Sequence, residues 1–409
     1  MREMKDSGNK WIGLIPKTWS VERIKTIFSE RSELSEDGSE TLLSVSEYYG
    51  VANRAEKVED GEYVSRAESL VGYKKCYKGD LVSNIMLAWK GSMGVTELDG
   101  IVSPAYCVYK PSKSVYPRYY HYLFRTSLYT SIFRLYSKGI IDSRLRLYSP
   151  YFFDIKAIIP SYAEQQRIAE FLDRKCVEVD EMIALQEQII EELKAYKQSV
   201  ITEAVTKGLN PAAPMRDSGI EWIGQIPEHW EVKRLKYLCS IQTGNKDTQD
   251  ADKDGAYPFY VRSPFVERST SYSFEGEGIL MAGDGAGAGR VFHHAFGKYA
   301  VHQRVYRLSD IKHINSNYLF YYISNLFNKV MDMGSAQSTV PSVRLPMLTN
   351  FRVCCPDIEE QQAIADYLDE KCADIDSLIQ TKQSKIDSLK EYKKSIIYEY
   401  VTGKQEVNE

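Results

Sequence analysis

The chain has 409 residues, a formal net charge of −4, and 43% hydrophobic and 26% charged side chains, a length for about two to three domains, each able to bury a core. No apolar run approaches the ~18 residues of a membrane span, and the start, MREMKDSGNK, lacks the apolar region of a signal peptide. Seven cysteines without CxxC spacing argue against a disulfide framework and a zinc site, and suit a reducing cytoplasm.

In chain order, the first feature is DSG-x-x-WIG-x-IP-x-x-W-x-V-x-R-x-K from Asp6, which returns from Asp217 with 12 of 20 positions identical. The region after it predicts strands over 40–49, 80–87 and 100–110 and an amphipathic helix over 117–137. A polar loop and an extended run (SPYFFDIKAIIP) then lead to Pro160. PSYAEQQRIAEFLDRKCVEVDEMI, from Pro160, opens a long helix. Its apolar positions Ile168, Leu172, Cys176, Val179, Ile183, Ile190, Leu193, Val200 and Ala204 alternate by three and four, the seam of a coiled coil. Gly208 and Pro211 end it.

The order then repeats. The second variable region predicts strands over 277–283 and 298–308, a helix over 315–334, and an extended run (MLTNFRVCCP) into Pro356. PDIEEQQAIADYLDEKCADIDSLI restarts the helix at an offset of 196 residues, with about 22 identities before the register is lost. Its seam is Ile364, Leu368, Cys372, Ile375, Ile379, Ile386, Leu389, Ile396 and Tyr400. Gln186 with Lys382, and Lys197 with Lys393, interrupt both seams, as polar residues that fix register do. Each helix is expected to run some 45 residues, about 65 Å. Two related units in one chain commonly pack about a pseudo-two-fold axis, which sets the helices antiparallel; a parallel pair is the alternative. The expected fold class is therefore α+β: two α/β domains (1–159 and 211–355) separated by two long helices (160–210 and 356–409) forming an antiparallel coiled coil, with an internal repeat.

Charge is unevenly distributed. Residues 160–210 carry 6 basic and 10 acidic side chains, and 356–409 carry 7 and 13. The variable regions are slightly basic, with clusters over 118–146 and at Arg290, Lys298, Arg304 and Arg307, and such local patches matter more for phosphate contact than the chain total. A solvated basic face without a partner is the plainer reading of either cluster.

Catalytic signatures are few. AGDGAGAGR (282–290) is glycine-rich, but a strand-like RVFHHAFG follows instead of the helix that a dinucleotide or P-loop site needs. A tight surface turn, or a turn whose amides meet a DNA backbone, is the expectation. His293, His294 and His302 lack a carboxylate or cysteine at ligand spacing and read as strand histidines. No nucleophile elbow or kinase set occurs, and neither does the Asn/Asp-Pro-Pro-Tyr box of an adenine methyltransferase.

The doubled EQQ-x-I-A-x-x-L-D helix start, the doubled WIG-x-IP-x-x-W and the divergent regions between them resemble the specificity subunit of type I restriction–modification enzymes, over essentially the whole chain. Residues 84–109 and 280–303 also look like segments of that family's target-recognition domains. The resemblance implies a non-catalytic, cytoplasmic subunit in which each domain reads one half of a bipartite, asymmetric site on double-stranded DNA. It implies helices that act as a ruler and dock two methyltransferase subunits, with translocase–nuclease subunits joining for cleavage. S-adenosylmethionine, ATP and magnesium would belong to those partners, and no metal or catalytic residue is expected here.

For DNA contacts, polar and basic loop residues at matched places in the two domains are the candidates. In the first they are Lys90 and Ser92, then Lys138, Ser143, Arg144 and Arg146. In the second they are Arg290, Gln303 and Arg304, then Gln337, Ser338, Thr339, Ser342 and Arg344. Arg suits guanine and Gln adenine, while Ser, Thr and Lys more often hold phosphate. Ser338, Thr339 and Ser342 also fit capping or turn hydroxyls. Trp11, Trp19, Trp222 and Trp230 are expected to anchor the chain against a helix. The rivals are a coiled-coil scaffold without DNA specificity and an enzyme using the glycine turn.

Overall fold

The computed structural model describes residues 2–56, 69–334 and 341–407. The chain forms two compact units, one of residues 1–186 with 384–409 and one of residues 187–383. These units cut across the four sequence segments, because each long helix is divided between them. No helix among the described residues is long and apolar enough to cross a membrane.

Each unit is built in the same order although the variable regions share little sequence. The opening motif forms a hairpin, Met4–Asp6 with Leu14–Pro16 in the first unit and Met215–Asp217 with Gln225–Pro227 in the second. The next strand, Ser20–Arg23 or Glu231–Arg234, pairs antiparallel with the strand that leads into a long helix, Lys156–Ile159 or Arg352–Cys355. An antiparallel four-stranded sheet follows. Its order is Phe28–Arg31, Tyr106–Pro111, Leu81–Asn84, Met93–Val95 in the first unit. In the second it is Ser240–Thr243, Val305–Ser309, Gly278–Ala282, Phe292–Ala295. The units differ beside this sheet. The first adds the hairpin Leu43–Ser46 with Gly50–Asn53 and a second antiparallel pair, Lys74–Cys76 with Gly100–Val102. The second adds a further four-stranded sheet through Tyr257–Tyr260 and Lys298–Val301.

The long helices span Tyr162–Lys207 and Ile358–Val401. Every expected seam position is buried or half-buried. Within the first unit Phe171 stacks near Tyr400 at 4.4 Å while Lys393 Nζ holds both carboxylate oxygens of Asp180 at 2.7 and 2.6 Å, so the segments run antiparallel. The second unit repeats this: Lys197 Nζ holds Asp376 at 2.7 Å, and Gly208, at the helix end, lies beside Glu360 at the other helix start. The polar seam positions Lys197 and Lys393 thus select their partners by ion pairs, which at this exposure stabilise by about 0.2–1 kcal/mol each.

The doubled EQQ is a latch. Glu164 accepts the indole N–H of buried Trp19 at 2.7 Å and a bond from Arg2; Glu360 accepts that of buried Trp230 at 3.1 Å and pairs with His229 at 2.8 Å. Gln165 and Gln361 are fully buried. Gln165 accepts the Tyr116 N–H (2.8 Å) and donates to the Pro160 and Ser114 carbonyls (2.9 and 3.2 Å). Gln361 accepts the Asn315 N–H (2.6 Å) and donates to the Pro356 carbonyl (2.8 Å). Two further details match across the units. Tyr119 and Tyr318 donate to the Val401 and Val205 carbonyls at the closing ends of the helices. Gly403 and Gly208 adopt φ of +73° and +75° against Trp19 and Trp230, where a Cβ would crowd the indole.

Three expectations are corrected. The helix over 117–137 is two helices, Pro117–Leu123 and Ser127–Tyr136, because Thr126 caps the second by accepting the Tyr129 N–H. The runs into Pro160 and Pro356 are not extended throughout: Ser149–Asp154 and Leu345–Thr349 are helical before the strand begins. Trp11 is half exposed and anchors nothing, whereas Trp222 stacks on Phe351 at 5.9 Å.

All seven cysteines are free and buried, and burial pushes the thiols of Cys76, Cys239 and Cys355 up to about 12. The native chain should therefore react with a thiol reagent at pH 8 far more slowly than the denatured chain, in which seven thiols appear. Gln165→Ala or Gln361→Ala leaves a buried backbone N–H without its acceptor and should destabilise by about 1–3 kcal/mol in urea unfolding.

Candidate nucleic-acid interface

In the first unit the 3₁₀ turn Ala88–Lys90 packs against the helix Ser127–Tyr136. Exposed Lys90 and Arg134 both lie over the Trp89 ring, at 5.3 and 4.9 Å from its centroid. The chain then leaves the helix in a finger, 138–146, closed by reciprocal backbone bonds of 2.9 Å between Lys138 and Arg146. Lys138, Ser143 and Arg144 are exposed and Arg146 half-buried. Lys138 rests over Tyr151, and Arg146 donates to the Ser143 and Leu145 carbonyls. Five of the six candidates in this unit therefore share one surface region with Trp89 and Arg134. Ser92 is corrected as an exposed loop residue: it is buried, and its hydroxyl donates to the Val45 carbonyl at 3.1 Å, so it braces the turn.

Basic residues of the cluster over 118–146 are also used internally. Arg118 pairs with Asp173. Arg125 donates to the carbonyls of Ser46, Glu47, Tyr48, Gly91 and Met93, with no carboxylate in the set. Burial, with Arg118 nearby, pulls its pKa down to about 10, so it remains charged at neutral pH. It positions both the exposed Tyr48 turn and the turn that carries Lys90.

In the second unit the glycine-rich stretch is a turn between the antiparallel strands Gly278–Ala282 and Phe292–Ala295. Several of its amides are occupied within the chain: Gly283, Gly285 and Gly289 donate to the Arg304, Pro341 and Ala282 carbonyls. The glycines serve close packing, since a Cβ on Gly287 would meet the Arg262 carbonyl oxygen at 2.5 Å.

Asp284 in this turn binds two arginines, Arg304 at 2.6 Å and Arg262 at 2.9 Å. Burial works against its charge, but the hydrogen bonds from Arg304 and Arg262 outweigh it and hold the carboxyl below the usual range. Arg304 is 63% exposed, so a carboxylate orients it from one side while the rest of the fork meets solvent. Beside it, Gln303 donates to Asp247 at 3.0 Å. Buried His302 accepts the Arg304 backbone N–H at Nδ1, which leaves the proton on Nε2 toward Asp247. Burial, aided by Arg262, lowers its pKa, so it is neutral at pH 7.

Arg290 lies 3.6 Å from Asp332, and exposed Ser342 pairs its backbone with Asp284. Arg344 is exposed at the start of the helix Leu345–Thr349. Gln337, Ser338 and Thr339 lie outside the described residues. Arg307 of the basic cluster is buried against Tyr299. His293 and His294 bond to the Ser263 carbonyl and Glu277, and no group of three or more His, Cys, Asp or Glu among the described residues could hold a metal. Sequence reasoning missed Arg262, Trp89, Arg134 and Arg125, whose roles depend on partners far away in the chain.

The family model for the type I restriction modification DNA specificity domain matches residues 227–391. The chain is 28% identical over 174 residues to the type I restriction enzyme EcoDI specificity subunit of Escherichia coli, across 42% of this chain and 38% of that subunit's length. It is 24% identical over 425 residues to the putative MjaX specificity subunit of Methanocaldococcus jannaschii, covering 96% and 95% of the two chains. Two solved structures share the fold at 16% identity. One, from work on complex assembly and conformational transition of the type I R-M system, has a TM-score of 0.73 over 96% of this chain and 99% of that one. The other, the HsdS subunit of Thermoanaerobacter tengcongensis, has a TM-score of 0.55 over 98% and 100%. The matched domain and these relatives together point to the specificity subunits of type I restriction–modification systems as what this chain is similar to.

Arg125→Ala strips five carbonyls of their donor and should destabilise by roughly 2–4 kcal/mol, with Arg125→Lys recovering only part, since one ammonium cannot span the fork's geometry. Asp284 has a folded pKa below its unfolded value of about 3.9, so its contribution is fully present above that pH and lost as pH falls through the folded value. Thermal unfolding of Asp284→Asn against wild type should show a gap of about 1–3 kcal/mol at pH 7 that closes only below pH ~4.

Proposed function

We propose that this chain is the non-catalytic DNA-recognition subunit of a type I system, each unit reading one half of a bipartite, asymmetric site on double-stranded DNA. The long helices set the interval between the half-sites and dock two methyltransferase subunits, and translocase–nuclease subunits join for cleavage. S-adenosylmethionine, ATP and magnesium belong to those partners. The observation that carries the reading is the contrast within the repeat. The latch, the helix pairing and the central sheet order are the same in both units, while the exposed residues around Lys90–Arg146 and Arg262–Arg304 differ. A scaffold would have no reason to keep its frame and vary its exposed polar turns.

The test is a methylome of methylation-free cells expressing the chain with its methyltransferase subunit. Two short defined blocks with a fixed unspecified gap are the expected pattern, and exchanging residues 26–159 should change one block only. Arg144→Ala and Arg304→Ala should each weaken binding by about 1–3 kcal/mol and relax one block, the two blocks being different. A stable complex with no salt-dependent DNA binding would favour the scaffold.

A further inference from the structure

At the tip of the finger 138–146, Ile140 is 97% exposed and Ile141 is 55% exposed. Single exposed apolar side chains are ordinary on protein surfaces. These two differ in how firmly they are presented. The finger is closed below them by the Lys138–Arg146 backbone pair, and its base is tied by the Leu147 N–H to the Ile85 carbonyl at 2.9 Å. Across the tip, the Arg144 N–H donates to the Ile141 carbonyl, and Arg134 holds Asp142 at 2.7 Å from the neighbouring helix. Gly139 has φ +155° and approaches the Arg144 carbonyl so closely that a Cβ would lie 2.5 Å from it. A β-branched side chain adds its own stiffness at χ1.

Charge identifies the occupant. Asp142 is the finger's one acid and is neutralised by Arg134, which leaves Arg144 on the arm behind the apolar tip and Lys138 and Arg146 at the finger's base. Two isoleucines are far too small a patch to seat a protein partner, for which contiguous apolar areas of several hundred Å² are usual. A small apolar point with cations on the finger behind it fits a base step flanked by phosphates. We propose that Ile140 is a wedge that enters a base step from the minor groove in the half-site read by the first unit, with the three cations on the adjoining phosphates. Such wedges partly unstack the step and kink the duplex. The inference rests on the DNA-recognition reading above.

The test uses the full chain with its methyltransferase subunits and a duplex carrying the site mapped by methylation. 2-Aminopurine replaces bases step by step through the block read by the first unit, and dyes at the duplex ends report bending. Wild type should raise 2-aminopurine fluorescence at one step and shorten the end-to-end distance. Ile140→Ala should lose both signals and bind roughly tenfold more weakly, with an unchanged salt slope and unchanged thermal unfolding. Ile140→Leu should retain the kink. Wild-type complex that binds and methylates without unstacking, or Ile140→Ala that keeps the signals, would sink the wedge and leave DNA recognition standing. A complex that binds no DNA would overturn both.

Discussion

Everything else in this fold hangs on a buried glutamine at the first turn of each long helix. A primary amide fully removed from water is tolerated only when its donors and acceptor are met. Gln165 meets both donors and its acceptor, and Gln361 its acceptor and one donor, with backbone groups from the loop before the helix and from the start of a helix in the globular part. The glutamic acid one residue earlier holds the buried tryptophan of the opening motif. Three parts of the chain that are distant in sequence are thus fixed to one point, and the direction in which each long helix leaves its domain is set there. That explains why nine residues of an opening motif and three of a helix start are written twice, while well over a hundred residues between them drift.

Much of this frame could be read in the sequence, because its signals are periodic and repeated. Seam positions such as Leu172 and Leu368 announce themselves by three-and-four spacing, and the repeat gave two independent readings of the same element. The break at Phe124–Thr126 could not be read, since the apolar period continues straight through it and only the cap made by Thr126 interrupts it. The candidate site was legible as a set of loops and not as a set of roles. Composition marks Arg118, Arg125 and Arg307 as basic exactly as it marks Arg144 and Arg304. Their fate is decided by Asp173, a ring of carbonyls and Tyr299, none of which is near in sequence.

The two units also show how a conserved sheet carries different faces. The central four strands have one order in both, yet the first unit flanks them with two-stranded pairs and the second with another four-stranded sheet. In the first unit the exposed cations gather on an aromatic ring and a closed finger. In the second, Arg262 and Arg304 are drawn onto Asp284 in the glycine-rich turn between two strands. Carboxylate-held arginines and an aromatic-backed finger are different ways to hold long, flexible cations in place, which on the proposed reading reduces the entropy lost on binding.

The first unit is discontinuous: residues 384–409 complete it. A ribosome adding about 5–20 residues per second needs roughly 10–40 s to make the stretch between its two parts. During that interval Trp19, the Leu172 seam and the hydroxyl of Tyr119 have no helix end to receive them, whereas the second unit is contiguous and its last residue emerges earlier. The usual order of synthesis, with the amino-terminal domain finished first, is therefore inverted. The first unit to begin is the last to close, and it waits with an apolar stripe uncovered, the kind of surface that holding chaperones bind.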